Sequence, residues 1–580
     1  MRKKIASRKP QLEKSPEFVF KVDRFAHRHF WLLLGAILLL ALLLRIADLR
    51  ADPPPDLSWS FAPYTDESLN TYSARNLILF GNWQKDDFLP FCIYPLVNIL
   101  VALVFKFLGI GFVQVKLISV LSGVLGVLTM ALLIRSAAQE TAALLTSLLL
   151  ALSYPLVMYS RLGLVETAQI LFFLLTVLFW VKSLEKPVLM FPGGFFAFTT
   201  FLLVKISAVF LLLVLVFLFI DRALFVRPDE KKRRQFFLSL IWFIAGAVSA
   251  VIIWLLVVFL PYRAQYLQYV IRHSSESPAG HPTTMFGYLF NTFTIGLRSK
   301  LFPRLVWVAL VGFLTLPLRA KRENLAFRHL FLWFIFGALM LGYMNYRPPR
   351  YEIILLPPLI GAAGVTLSEW LHSSKKNSPL PKPGNPFFNI ILYSLYCCPL
   401  ALQLLLYLSG FRLYPQPGNE LNITVIAFVV SFIVIGTGSW FFRFFSQKRT
   451  PMLGTILAAL ILLLSLRLDV GQFFNWFSNR TYTLITAARD LNQILPENAV
   501  LAGSWAPPLM IESRKRAIAI TDWANINDPI SRFGVTHLVL GENEADHLLQ
   551  EKIPPGIKDK MKPIRQYRIR GQLLTVYSLF

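Results

Sequence analysis

Cysteine is nearly missing from this chain: Cys92, Cys397 and Cys398 are the only three in 580 residues. Two of them sit side by side in an apolar run, so neither a disulfide framework nor a cysteine metal site is expected. Acids are also scarce, 32 against 58 lysines and arginines, which leaves a net charge of +26. No internal repeat of fixed period is found, which argues against repeat architectures. No small-residue cleavage site follows the first apolar run, 30–47; the chain continues "RIADLRADPPP". That run is therefore read as an uncleaved anchor, not a signal peptide.

What the chain has in quantity is apolar sequence. Hydrophobic residues make up 55% of it, and the mean hydropathy is +0.56. Such composition, arranged in long runs, is expected of an α-helical polytopic membrane protein. The positive charge then needs no nucleic acid. Basic loops kept on the cytoplasmic side, drawn to anionic headgroups, account for it.

Thirteen segments read as spans: 31–47, 116–135, 141–158, 168–184, 191–204, 206–221, 236–260, 303–318, 328–345, 351–368, 388–410, 421–444 and 453–468. The run 95–108, "PLVNILVALVFKFL", is left out because it is short, carries Lys106 and ends at Gly109. It is expected to lie along the membrane surface. Nine Lys or Arg precede the first span, so the N-terminus is placed inside. Parity then puts the densest basic loops inside too: 227–235, 319–324, 372–382 and 446–449. Counting 95–108 as a span would put them all outside. A cysteine introduced at position 229 should therefore resist labelling from outside intact cells; efficient labelling there would invert the whole arrangement.

The expected organisation is a basic cytoplasmic tail (1–29), a catalytic helical module (30–370), further spans (371–470) and a small extracytoplasmic α/β domain (471–580). The last rests on a helix-like stretch at 484–495 and the strand-like runs "AVLAG", "AIAIT", "HLVLG" and "QLLTVYSL".

On the side opposite the basic loops, a few ionisable residues stand at span ends. "FAPYTDESLNTYSARNLILFGNW" (61–83) holds adjacent acids, Asp66 and Glu67, which read as opening a short helix. Taken alone, that is where a helix dipole favours carboxylates. "YSRLGLVETAQI" adds Arg161 and Glu166, with Glu166 beginning an apolar run. Alone, these read as a snorkelling arginine and a capping acid. Lys205 interrupts "FTTFLLVKISAVFLLL" at a hairpin turn, where snorkelling is the plain explanation. "NYRPPRY" contributes Arg347, Arg350 and Tyr351 at the same level. Together they set carboxylates beside phosphate-binding cations on one face. That set suits chemistry on a lipid-linked phosphosugar: an acid to accept a hydroxyl proton, and cations to hold a departing phosphate.

In order and layout these segments resemble the GT-C superfamily of polyprenyl-phosphate-dependent glycosyltransferases. The nearest likeness is to the protein O-mannosyltransferase-like group, which includes bacterial aminoarabinose transferases. The resemblance runs through "TDESLNTYSARNLILFGNW", "IYPLVNILVALVFKFLG", "SRLGLVETAQI", Lys205 and "RPPRYEIILLPPL", covering about residues 30–370. It implies a GT-C fold of about 13 membrane helices and a donor sugar on polyprenyl phosphate or diphosphate. It also implies a catalytic base at Asp66, a second acidic role at Glu166, and phosphate contacts at Lys205 and Arg350. Two departures stand out: Asn70 lies where relatives often carry tyrosine, with Tyr72 displaced, and only "CIYP" remains where some place a metal ligand. No cofactor is certain; a divalent metal is left open. The expected partners are the lipid-linked donor, membrane lipids and an unidentified acceptor, with no nucleic acid. A lipid or glycan transporter, or a non-catalytic envelope scaffold, are the competing readings. Against transport stand the lack of repeated halves and of acids at mid-span.

Overall fold

The computed structural model describes residues 24–226, 230–268, 284–295, 306–320, 324–344, 347–371, 386–408, 420–445, 451–521 and 523–580. Most of residues 261–302, read from the sequence as an outer loop, and of the basic loops singled out above lies outside that set.

Apolar runs can satisfy their own backbone in a bilayer only as helices or closed barrels. Here they are helices, and the chain is a multi-pass membrane protein. Among the described residues, seven helices are long and apolar enough to cross a membrane, eight if one bent pair counts as a single span. Each of the thirteen expected segments overlaps a helix, several of them shorter, such as Phe30–Ile46 and Glu166–Lys182. The bent pair, Glu140–Leu152 and Tyr154–Ser160, turns by 60° ahead of Pro155. Asp469 from the last long helix caps the break, its Oδ1 accepting from the Tyr154 amide at 3.0 Å.

The segment between the first two spans folds into three short helices, Ala62–Asn70, Tyr72–Phe80 and Pro95–Leu108. The third follows its punctuation. Pro95 occupies the first turn, where its missing N–H costs nothing, and the helix stops at Gly109 with φ +81°. Buried Asn98 ties this helix to the other two. Its Oδ1 accepts from the Ala74 amide at 3.1 Å, and its Nδ2 donates to the Asn70 carbonyl at 2.9 Å.

The last long helix, Pro451–Ser478, runs past residue 470, and the α/β unit follows it. Its five strands are β1 (Val500–Gly503), β2 (Arg516–Ala519), β3 (His537–Leu540), β4 (Lys562–Ile569) and β5 (Gln572–Ser578). They run in the order β2-β1-β3-β5-β4, with β1 parallel to β2 and β3 and the β4–β5 hairpin antiparallel. Four strands coincide with the strand-like runs. β4 escaped because its side chains are exposed on both faces until Tyr567, so no alternation marks it.

This unit packs on the first loop rather than standing apart. Phe61, Tyr64, Tyr72 and Phe88 share an apolar cluster with Trp505, Leu509 and Val576. Arg75, 1% exposed, donates to the carbonyls of Ser513 at 2.6 Å and Lys515 at 2.8 Å. The Tyr72 hydroxyl bridges Asp86 and the Ala517 carbonyl. Asn525 bonds Asp86 at 2.9 Å, and Arg532 pairs with Asp87 at 2.7 Å. The two short helices around Asp66 are thus clamped between the bundle and the sheet.

Candidate active site

Asp66 and Glu67 do not open their helix. Ala62–Asn70 begins four residues earlier, and its first turn holds no acid. The dipole explanation therefore lapses, since its effect is confined to the first turn. Consecutive residues on a helix point about 100° apart, and these two carboxylates diverge to different partners.

Asp66 faces the start of the short Pro349–Glu352 helix. Its Oδ2 lies 2.8 Å from Arg350 Nη2. Arg350 Nε stands 3.6 Å from Glu166 Oε1, and that oxygen is 2.6 Å from Lys205 Nζ. The Lys205 ammonium also sits 4.0 Å from the centre of the Tyr351 ring, with the Arg350 guanidinium at 4.9 Å. Acid, cation, acid and cation therefore alternate through four elements far apart in sequence. Local structure places each one. Glu166 is the first residue of its helix. Lys205 sits where a π-turn, Thr200–Val204, ends in one extended residue before a 3-10 turn. Pro349 starts the short helix that carries Arg350. Lys205 does not snorkel: it is 6% exposed, and Glu166 is 2% exposed. Burial pushes the Asp66 carboxyl above the usual carboxylate range; Arg350 pulls it back, Glu166 adds to the rise and Lys205 opposes it. The second oxygen of Glu166, Oε2, is buried with no hydrogen-bond partner among the described residues.

Glu67 turns the other way and is more deeply buried than the partly exposed Asp66. Its carboxylate accepts from the Gly163 amide at 3.3 Å and lies 3.7 Å from Lys116 Nζ. Lys116 also donates to the Leu49 carbonyl at 2.8 Å. Burial raises the Glu67 carboxyl as well, with Lys116 and the Gly163 amide working against it. Glu67 thus ties its helix to the turn that ends at Glu166. Contact there is close: a Cβ on Gly163 would meet the Val115 carbonyl oxygen at 2.9 Å and Glu67 Cβ at 3.0 Å. Lys116 and Gly163 were not singled out in the sequence. The available signal was that Lys116 opens an apolar run just as Glu166 does.

Arg161 is placed elsewhere. Its guanidinium donates to the carbonyls of Leu44 at 2.9 Å, Arg45 at 3.2 Å and Asp48 at 3.0 Å. The first two are carbonyls that the end of the first helix leaves without intrahelical donors, and the third lies just beyond that end. The same group stacks 4.3 Å from the Trp476 ring. Arg347 reaches Asn291, donating to its carbonyl and, at 3.3 Å, to its side chain. Among the described residues no group of three or more His, Cys, Asp or Glu is placed to hold a metal ion. The site's two acids are already matched by Arg350 and Lys205, so their geometry does not suit a metal.

Residues 90–254 match the family model of dolichyl-phosphate-mannose-protein mannosyltransferases. That segment includes Arg161, Glu166 and Lys205 but neither Asp66 nor Arg350. No curated protein matches the sequence significantly. Among solved structures the chain is similar to ArnT from Cupriavidus metallidurans bound to undecaprenyl phosphate, at 16% identity and TM-score 0.52, covering 94% of this chain and 98% of that one. The apo state of ArnT gives 14% identity, TM-score 0.53, and 95% and 98% coverage. A weaker likeness, 14% identity and TM-score 0.43 over 88% and 69%, is to the oligosaccharyltransferase AglB from Archaeoglobus fulgidus with an inhibitory peptide and a dolichol-phosphate. The chain thus resembles GT-C glycosyltransferases in a sequence segment and in fold, as its motifs implied.

Proposed function

We propose that this protein transfers a sugar from a polyprenyl phosphate or diphosphate to an acceptor hydroxyl at the outer membrane face, with inversion. The observation that carries the reading is the alternating row Asp66, Arg350, Glu166, Lys205. Burying such charges costs several kcal/mol each, and buried pairs are often replaceable by apolar residues without loss of stability. Stability alone is therefore a poor reason for the row. Ionisable groups held at a membrane interior's edge point to function. The fold shared with a protein crystallised with undecaprenyl phosphate supports a lipid phosphate as the guest.

In this reading the row is closed at rest, its two negative charges balanced by two positive ones. A donor phosphate brings its own negative charge and competes for Arg350 and Lys205. Once Arg350 turns to the phosphate, Asp66 is released as a base. The acceptor hydroxyl gives its proton to Asp66, and its oxygen attacks the anomeric carbon. The bond from that carbon to the phosphate oxygen breaks, and the lipid phosphate leaves with the electron pair, held by the two cations. One displacement inverts the carbon. Arg161 is assigned to the scaffold, not to the phosphate.

The direct test is transfer from labelled polyprenyl-linked sugars by the purified protein, with native mass spectrometry of co-purified lipid to identify the carrier. An active protein free of any such lipid requirement would sink the proposal. Glu67 is given a positioning role. Glu67→Gln should lower turnover about 10-fold, short of the roughly 100-fold that a 1 Å misplacement can cost, with donor binding unchanged. Gly163→Ala, which forces the same contact apart, should reproduce that pattern. If both leave turnover at wild type, the Glu67–Gly163 contact is packing alone.

A further inference from the structure

The α/β unit divides its charge sharply. Residues 480–551 hold six Lys or Arg and nine acids; residues 552–570 hold seven Lys or Arg and one acid, Asp559. The basic stretch leads into and fills β4, the edge strand of the sheet. Lys558, Lys560, Lys562 and Arg568 are exposed. Arg565 is exposed too and pairs with Asp490 at 2.9 Å.

A lysine on an edge strand is ordinarily a guard against pairing with another sheet. One or two would serve that purpose, and Lys558 and Lys560 precede the strand. The near end of the row has a definite place. Arg570 and Gly571 form the two-residue turn between β4 and β5, both with positive φ, +52° and +80°. A β4–β5 turn of this kind favours Asn-Gly or Gly-Gly, so arginine there is retained at a conformational cost. Its guanidinium is fully engaged on the first loop, donating to the carbonyls of Pro55 (Nη2, 2.6 Å), Ser58 and Ser60. It also lies 5.4 Å from the ring of Phe61, the residue that caps the Asp66 helix. The basic strand is therefore pinned at one end beside that helix. From there it runs about 25 Å away, at roughly 3.3 Å per residue.

We propose that this edge is the landing track for an anionic acceptor: a glycan chain bearing repeated phosphate, sulfate or carboxylate groups, whose free end reaches Asp66. The assignment rests on the glycosyltransferase reading and names the acceptor's chemistry. A polymer is the occupant that fits, because the exposed cations are strung along one edge strand, a spacing that the repeated charges of a chain can follow.

The test uses the full-length protein in detergent, with sulfated dextran as the probe, neutral dextran as its control, and vesicles with and without phosphatidylglycerol. Reversing four charges together (K558E, K560E, K562E, R568E) should weaken sulfated-dextran binding at least about 10-fold at low salt. Reversing exposed Lys106 and Lys186 should not. Equal binding by the fourfold variant, or an equal fall in the control variant, overturns the track. So does loss of vesicle binding with dextran binding intact, which would make the strand a membrane contact. Release of polyprenyl phosphate from the donor is measured in parallel and should be the same in both proteins. Its absence in the wild type would count against the enzyme reading without touching the binding result.

Discussion

Asp66→Asn is expected to cut sugar transfer at least about 10²-fold while donor binding stays within a few-fold of normal. The substitution keeps shape and the capacity to hydrogen-bond but removes the basic oxygen. In the wild type the rate should rise with pH as Asp66 loses its proton. Burial raises that carboxyl, so the acid limb of the profile should lie above the value near 3.9 of an exposed aspartate. The asparagine variant should lack this limb. Stability runs the opposite way. A carboxyl whose folded pKa is raised contributes stability that is present below its unfolded pKa and lost as pH rises through the folded one. From this titration alone Asp66→Asn should gain on wild type as pH rises, and because Arg350 keeps Glu166 as a second acid at 3.6 Å, the loss of its Asp66 partner should leave only a small net change near neutral pH. A variant that is both unstable and inactive would point to a structural aspartate. Near wild-type turnover would end the catalytic assignment and favour a transporter or scaffold.

The helical plan was legible because composition and punctuation carry it: long apolar runs, Pro95 at one helix start, Gly109 at its end. The strands β1, β2, β3 and β5 were legible through their apolar residues, and β4 was hidden by its exposure on both faces. At the site, the residue types were visible at span ends, but their pairings were not. Nothing in "SRLGLVETAQI" tells an arginine that bonds the carbonyls of a neighbouring helix end, as Arg161 does, from one that meets a phosphate. That the adjacent acids of "TDESL" point about 100° apart follows from helix geometry, but which partners each meets does not. Arg75 was passed over for a similar reason: it lies in a short, mixed-polarity helix, and its carbonyl partners are more than 400 residues away.

Lys205→Met should have two effects that a second substitution can separate. The first is on the fold. Removing the ammonium leaves Glu166, 2% exposed, without its nearest cation, at a cost of about 3–5 kcal/mol for a broken buried pair. The second is on the donor. A lost charged hydrogen bond to phosphate costs about 1.5–3 kcal/mol, roughly a 10- to 150-fold weaker Kd. The single variant mixes these, since an unstable protein also binds poorly. Replacing both partners, Lys205→Met with Glu166→Gln, takes out both charges, and a pair exchanged for neutral side chains of similar size is close to neutral in stability. Thermal unfolding followed by tryptophan fluorescence should thus show the double variant recovering most of what Lys205→Met alone loses. Polyprenyl phosphate binding should not recover, because no cation has been returned to the phosphate. Glu166→Gln alone sharpens the contrast: it frees Lys205 from its acid and should leave phosphate binding equal or tighter. If affinity instead returns together with stability in the double variant, Lys205 is no more than the counter-ion of Glu166, and Arg350 is left as the phosphate's only assigned cation.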